Sequence, residues 1–421
     1  MKKSVIKNIV NDAYSFSLIA KIISVITGLV YSILFSRYLG AELRGTASII
    51  NNYSELIMLV LCFGVYQAYP YFKKKTGENK YTEYINLIFG MFLVYSGIVA
   101  AFILIVRPFV SVAVTAVLIP LLMGIKQLNY VVLIENPKLR NMAQIWLDLF
   151  DIVFLGALMI FTTANYFYCV LFLIVKQVVC FIIAVANLKI PLHKIRPTLK
   201  GIWPYVKYGF IPMLTVILME VNYKVDVLML DWFQISQAEI GVYSLGVMLA
   251  QKLWLIPDAL KDILLSKLAG GKTESEVCKV TRISFWVTII CVIGMVFLGK
   301  PLIWLLFGPE YSDAYLIILV IMVGVLGMVF YKMIYSYNVV NGHKNINFVI
   351  LGVSSLINVV LNAAVIPFLG IMGAGLASLI SYTACGIAFL LYFCKKTNIP
   401  LKELVLLKKS DIKQIKKMLK K

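Results

Sequence analysis

Histidine is the residue this chain has least of, and acidic residues are half as many as basic ones. Only 2 histidines occur in 421 residues, His193 and His343. Both fall in segments read as loops, so neither a histidine-ligated metal nor histidine acid–base chemistry is signalled. Asp and Glu number 20 against 40 Lys and Arg, for a net charge of +20. Charged residues make up only 14% of the chain and hydrophobic residues 61%. A soluble core could not hide that much apolar surface, which leaves an integral membrane protein. The apolar stretches are long and continuous, which excludes the alternating pattern of outer-membrane strands. The basic excess sits in loops between these stretches, the positive-inside pattern, and does not argue for nucleic acid.

Other absences narrow the chemistry. Cys62, Cys169, Cys180, Cys291, Cys385 and Cys394 lie in apolar stretches and Cys278 in a basic loop, with no metal-like spacing. No metal and no disulfide are expected. Gly271-Lys272-Thr273 resembles the end of a P-loop, but Ser266 stands where the first glycine is required and no strand precedes it. There is no nucleophile elbow and no dinucleotide fingerprint. No outside segment is long enough for a catalytic domain, which argues against a polysaccharide polymerase or ligase. The expectation is a non-enzyme without a cofactor, driven by ion gradients or membrane potential. Met1-Lys2-Lys3 and Lys7 resemble the start of a signal peptide. The following stretch has no cleavage-like end and reads as an uncleaved first membrane helix.

Twelve spans are predicted, at 14–36, 46–69, 84–106, 109–133, 142–163, 166–188, 208–232, 242–265, 283–307, 314–340, 347–369 and 373–394. Lysines and arginines crowd alternate loops: Lys73, Lys74, Lys75 and Lys80; Lys189 to Lys207; Lys267 to Arg282; and the C-terminal tail. The opposite loops hold Arg37, Arg44, Arg107 and Lys300. This asymmetry places both termini in the cytoplasm. The predicted organisation is a six-helix lobe over 1–188, a basic linker over 189–207, a second six-helix lobe over 208–394 and a basic tail over 395–421. In the tail, Ile412, Ile415 and Leu419 share a helical face, which suits a helix lying on anionic lipid.

Ionisable residues inside the spans mark the candidate site. Lys21, Lys126, Lys176, Lys224, Lys252 and Lys332 lie deep, whereas Lys261 is close enough to a helix end to snorkel. A lysine at a helix centre costs roughly 2.5–3.5 kcal/mol to insert, so most should face a wet cavity or a partner. Glu55, Asp148, Asp151, Glu220, Asp226, Asp231 and Asp258 are candidate partners, Asp231 lying close to the outer end, and Glu220 and Lys224 are spaced for an intrahelical pair. Asp148 and Asp151 suit a basic residue of span four or six. Ser244, Met248, Gln251, Leu255 and Asp258 share one face of span eight, where Pro257 can break the helix.

A loose repeat relates the two halves. Ala41-Glu42-Leu43-Arg44-Gly45-Thr46-Ala47-Ser48 reads again as Ala238-Glu239-Ile240-Gly241-Val242-Tyr243-Ser244, one residue shorter. Duplicated helix sets are a signature of transporters. Three further patterns carry a family resemblance. They are Arg37-Tyr38-Leu39-Gly40-Ala41-Glu42 with Gly45; Leu306-Phe307-Gly308-Pro309-Glu310-Tyr311 with Asp313-Ala314; and Asn358, Asn362, Ile366, Pro367, Gly370, Gly373, Ala374, Gly375 and Ala377. With twelve helices, these resemble the polysaccharide flippases (O-antigen and exopolysaccharide transporters) of the multidrug/oligosaccharidyl-lipid/polysaccharide exporter superfamily. Gly375 departs from the second alanine expected there. Peptidoglycan-precursor flippases are similar too, but typically carry two extra helices.

The resemblance implies an all-α membrane protein with two six-helix lobes around a central cavity, walled mainly by spans one, two, seven and eight. It implies a substrate of oligosaccharide on polyprenyl diphosphate, moved from the cytoplasmic to the outer leaflet by alternating access. The deep lysines would hold the diphosphate as point charges. Glu55, Asp226 and Asp258 would pass a coupling proton or Na⁺. A polysaccharide polymerase or glycosyltransferases are the candidate protein partners. The alternative is a cation-coupled multidrug exporter of the same fold, which should carry a carboxylate-rich, aromatic site.

Overall fold

The computed structural model describes residues 13–76, 80–255, 257–258, 260–261, 264, 268, 274–408 and 411, and their side chains from Ile23 onward except at 74–76, 137 and 344. The described residues are almost entirely helical. Among the described residues, eight helices are long and apolar enough to cross a bilayer. Two of these are bent pairs, divided at Gly40 (φ 70°) and Gly370 (φ 53°). Positive φ is a conformation that favours glycine, so these two residues mark where each double helix turns. The chain is an all-α membrane protein. Its contacts divide it into two compact units, Met1–Ile217 and Leu218–Lys421.

The first unit comprises α1 (Ala13–Leu61, bent at Gly40), α2 (Val65–Thr76), α3 (Tyr81–Val106), α4 (Val110–Glu135), α5 (Pro137–Phe161), α6 (Tyr166–Ala186) and the first half of α7 (Trp203–Trp232). Asn136 and Asn165 cap α5 and α6, accepting from the Leu139 and Tyr168 amides at 3.1 and 3.0 Å. One buried cluster joins Phe35, Leu39, Ile50, Leu118 and Phe172; another is tyrosine-rich, with Tyr66, Tyr69, Tyr84 and Tyr205 around Leu128. Gly64 (φ 68°) ends the α1–α2 turn against Gly209 of α7. A Cβ on either would meet the other's carbonyl oxygen at 2.1 Å, so only glycine permits this crossing.

The second unit holds the rest of α7, then α8 (Gln237–Gln251), α9 (Glu274–Phe307), α10 (Ala314–Val340), α11 (Lys344–Thr397, bent at Gly370) and the short α12 (Lys402–Val405). Ser236 caps α8 by accepting from the Glu239 amide at 3.3 Å. The two copies of the sequence repeat thus occupy like places: one follows the Gly40 bend and the other the α7–α8 turn. A tight turn over Lys252–Trp254 ends α8. Glycines pack α10 on α11: a Cβ at Gly386 would meet the Gly327 carbonyl oxygen at 2.0 Å.

Large apolar residues point outward from the helices, among them Leu104, Phe109, Phe161, Phe297 and Phe368. In a bilayer these meet acyl chains, and the surface carries no penalty.

Two arginines read as loop residues are buried. Arg44 is in α1 beyond the bend, donating to Ser36 Oγ at 2.7 Å. Arg282 is in α9, which begins well before the predicted span at 283. Its guanidinium meets Asp411 Oδ2 at 2.8 Å and the Glu403 carbonyl, while Trp286 Nε1 donates to the Val405 carbonyl at 2.8 Å. Burial alone would raise the Asp411 carboxyl; hydrogen bonds from Arg282 and the Lys408 amide outweigh it and hold the group below its usual range. The start of the tail is therefore clasped to α9. Ile412, Ile415 and Leu419 lie outside the described residues.

Orientation is open to direct measurement. Cysteines at Ser236 and Ser312 are expected to react with an impermeant thiol reagent added to intact cells, and one at Lys200 is not. Labelling of the Lys200 position from outside would reverse the assigned topology.

Candidate functional site

Lys176, Lys224 and Lys332 each meet a carboxylate within their own unit. Lys176 of α6 lies 2.7 Å from Asp151 of α5. Lys224 lies 2.8 Å from Glu220, one turn away on α7. Lys332 of α10 lies 2.7 Å from Asp258, which Lys261 also approaches at 3.4 Å. Pairing offsets the cost of burying each ammonium.

Aromatic faces complete these sites. The Lys176 ammonium is 4.2 Å from the centre of the Tyr31 ring, Lys332 is 4.6 Å from Trp254, and Lys126 is 5.9 Å from Tyr66. All three lie within cation–π range. In the first unit, a cavity of about 120 Å³ brings Tyr31, Gln144, Asp148, Asp151 and Lys176 together with Leu147 and Cys180. Asp148 accepts from Thr27 at 3.1 Å and from Gln144 at 2.9 Å. In the second unit, Trp254 packs on Tyr223 and Tyr382, with centroids 4.6 and 6.1 Å away. Its buried Nε1–H finds no acceptor among the described residues.

Asp226 stands apart from the lysines. It is 1% exposed, and its Oδ2 accepts from Tyr243 Oη and, at 3.0 Å, from Ser378 Oγ. Oδ1 has no donor among the described residues, nor do the buried Oδ1 atoms of Asn222 and Asn362. Hydrogen bonds link these groups across α7 and both arms of α11. Asn222 donates to Ser354 at 3.1 Å, Ser354 to the Ser381 carbonyl at 3.1 Å, and Asn358 to Ser381 Oγ at 3.1 Å. Asn362 donates to the Asn358 carbonyl at 2.9 Å. This acceptor-rich core suits a small hard cation or a proton.

Glu55 is half-buried in α1 beyond the bend, and Lys252 is half-buried in the turn ending α8. The Lys21 side chain lies outside the described residues. Sequence reasoning missed the partners Tyr243 and Ser378, and it missed Trp254. The Asn358–Asn362 spacing, which puts both amides on one helical face, was the available signal.

No protein-family model matches the chain, and no curated protein matches it. Solved structures do. The lipid II flippase MurJ in an inward closed conformation aligns with a TM-score of 0.67 at 16% identity, over 92% of this chain and 88% of that one. An inward-facing multidrug resistance MATE transporter of the MOP superfamily aligns at 0.63 and 13% identity, over 93% and 99%. A Pyrococcus furiosus MOP-superfamily transporter, described by the reversed polarity of its binding pocket, aligns at 0.61 and 14% identity, over 94% and 98%. The chain therefore has the fold seen in these MOP-superfamily structures.

Proposed function

We propose that the protein is a flippase that moves oligosaccharide linked to polyprenyl diphosphate from the cytoplasmic to the outer leaflet, for cell-surface polysaccharide synthesis. The observation that carries this reading is the pairing of deep ammoniums with aromatic faces in both units: Lys176 on Tyr31, Lys332 on Trp254 and Lys126 on Tyr66. An organic cation is recognised by open aromatic faces. Here those faces are capped by lysines, which disfavours the multidrug exporter. A diphosphate can instead draw an ammonium from its carboxylate, while the spare Trp254 N–H meets the sugar. The fold shared with a lipid II flippase supports a lipid-linked substrate.

Outward movement of an anion against an inside-negative potential is favourable by roughly 2.3 kcal/mol per charge per 100 mV. A proton or Na⁺ entering at Asp226 would add to that bias. Glu55 and Asp258 are the other candidates for coupling, Asp258 being already engaged by two lysines.

Lys252→Glu tests the reading. One ammonium–phosphate contact is worth about 1.5–3 kcal/mol, so surface polysaccharide should fall on the order of tenfold or more while the chain inserts normally. Lys300→Glu, on the exposed end of α9, should leave export intact. Equal losses at both positions would remove the argument for an anion-binding role at Lys252.

A further inference from the structure

The segment joining α6 to α7 is pinned to the first unit. The Lys189 amide donates to Tyr81 Oη at 3.1 Å, the Arg196 amide to Asn86 Oδ1 at 2.8 Å and the Thr198 amide to the Asn86 carbonyl at 3.1 Å. Gly90 makes room for it, since a Cβ there would meet the Thr198 carbonyl oxygen at 2.3 Å. Held this way, the single turn Leu192–Lys194 stands beside the end of α6. Between them lies an open cavity of about 600 Å³, lined by Phe181, Ile182, Val185, Ile190 and Leu192 together with Lys189.

The cavity is apolar below and basic above. Ile182 and Val178 of α6 are exposed, and on a membrane helix that exposure is to acyl chains. Lys189 and Lys73 share the single carboxylate of Glu135, at 2.8 and 2.5 Å, so the pair keeps an excess positive charge. Lys189 remains 56% exposed despite this contact. His193, Lys194 and Arg196 follow it, all exposed. Basic pockets at helix ends, with apolar walls beneath, match a lipid with an anionic head group.

We propose that the cavity between the end of α6 and the Leu192–Lys194 turn holds one anionic phospholipid of the surrounding leaflet, its acyl chain along Ile182 and Val185 and its phosphate at Lys189 and Lys194. The proposal does not depend on what the protein transports. Net charge, rather than the phosphate alone, sets the preference, so phosphatidylglycerol should be favoured over phosphatidylcholine and the preference should weaken with salt.

The test is native mass spectrometry of the full chain released from nanodiscs of phosphatidylcholine and phosphatidylglycerol. Phosphatidylglycerol should be enriched several-fold over its bulk fraction among retained lipids. Ala186→Trp, which fills the cavity, and Lys194→Glu, on the exposed turn, should each return the ratio to bulk without lowering the melting temperature in phosphatidylcholine. Should Ala186→Trp fold poorly, Lys194→Glu alone decides. Retention at the bulk ratio in the parent protein, or undiminished enrichment in Lys194→Glu, overturns the proposal. Displacement of phosphatidylglycerol by an equimolar polyprenyl phosphate also overturns it, marking the cavity as an isoprenoid site instead.

Discussion

Asp226→Asn is expected to abolish the dependence of transport on a cation gradient while leaving the protein folded. The substitution keeps an oxygen to accept from Tyr243 and Ser378, so the core loses a charge but not its hydrogen bonds. Asp226→Ala, by contrast, strands two buried hydroxyls at about 1–3 kcal/mol each and should lower the melting temperature. In proteoliposomes, the ratio of initial rates with and without an imposed gradient should fall to one. Imposing a pH gradient and a Na⁺ gradient separately identifies the ion. A folded Asn variant with undiminished gradient dependence would remove Asp226 from the coupling path.

The second large effect is expected at Lys332. Its side chain is 9% exposed and meets Asp258 at 2.7 Å across two helices. Breaking a buried pair costs about 3–5 kcal/mol, and the lower end applies here because the Asp258 side chain is 30% exposed. Lys332→Ala should therefore destabilise the protein markedly and stop transport. The pair replacement Lys332→Met with Asp258→Leu separates two roles, since removing both charges relieves the burial cost. It should restore the melting temperature without restoring transport. Recovery of both would make the pair purely structural.

Much of the architecture was legible because membrane burial writes itself as uninterrupted apolar sequence. The Gly40 and Gly370 bends fall between predicted spans, and the break after Gln251 lies close to Pro257, where the sequence anticipated one. The Glu220–Lys224 contact followed from helical spacing alone. Lys176–Asp151 is one of the pairings expected with span four or six, whereas Lys332–Asp258 joins different helices and depends on packing that no local pattern records. Asp226 was visible as a charge in a span, but its hydroxyl partners lie 17 and 152 residues away. Arg44 and Arg282 were misplaced for the opposite reason. A charge was taken to end a span, whereas helix continues through both, one buried by Ser36 and the Phe35 ring and the other by the returning tail.

As the proposed flippase, the protein would bind a lipid-linked anion and not an organic cation. Thermal unfolding of the purified protein, titrated with polyprenyl diphosphate-linked sugar or with a cationic dye, tests it most directly. A ligand that binds only the folded state at a hundred times its dissociation constant stabilises by about 2.7 kcal/mol. The lipid-linked sugar should raise the melting temperature, by less as salt increases, and the dye should leave it unchanged. Stabilisation by the dye with none by the lipid-linked sugar, together with dye efflux lost on Glu55→Gln or Asp258→Asn, would contradict the account.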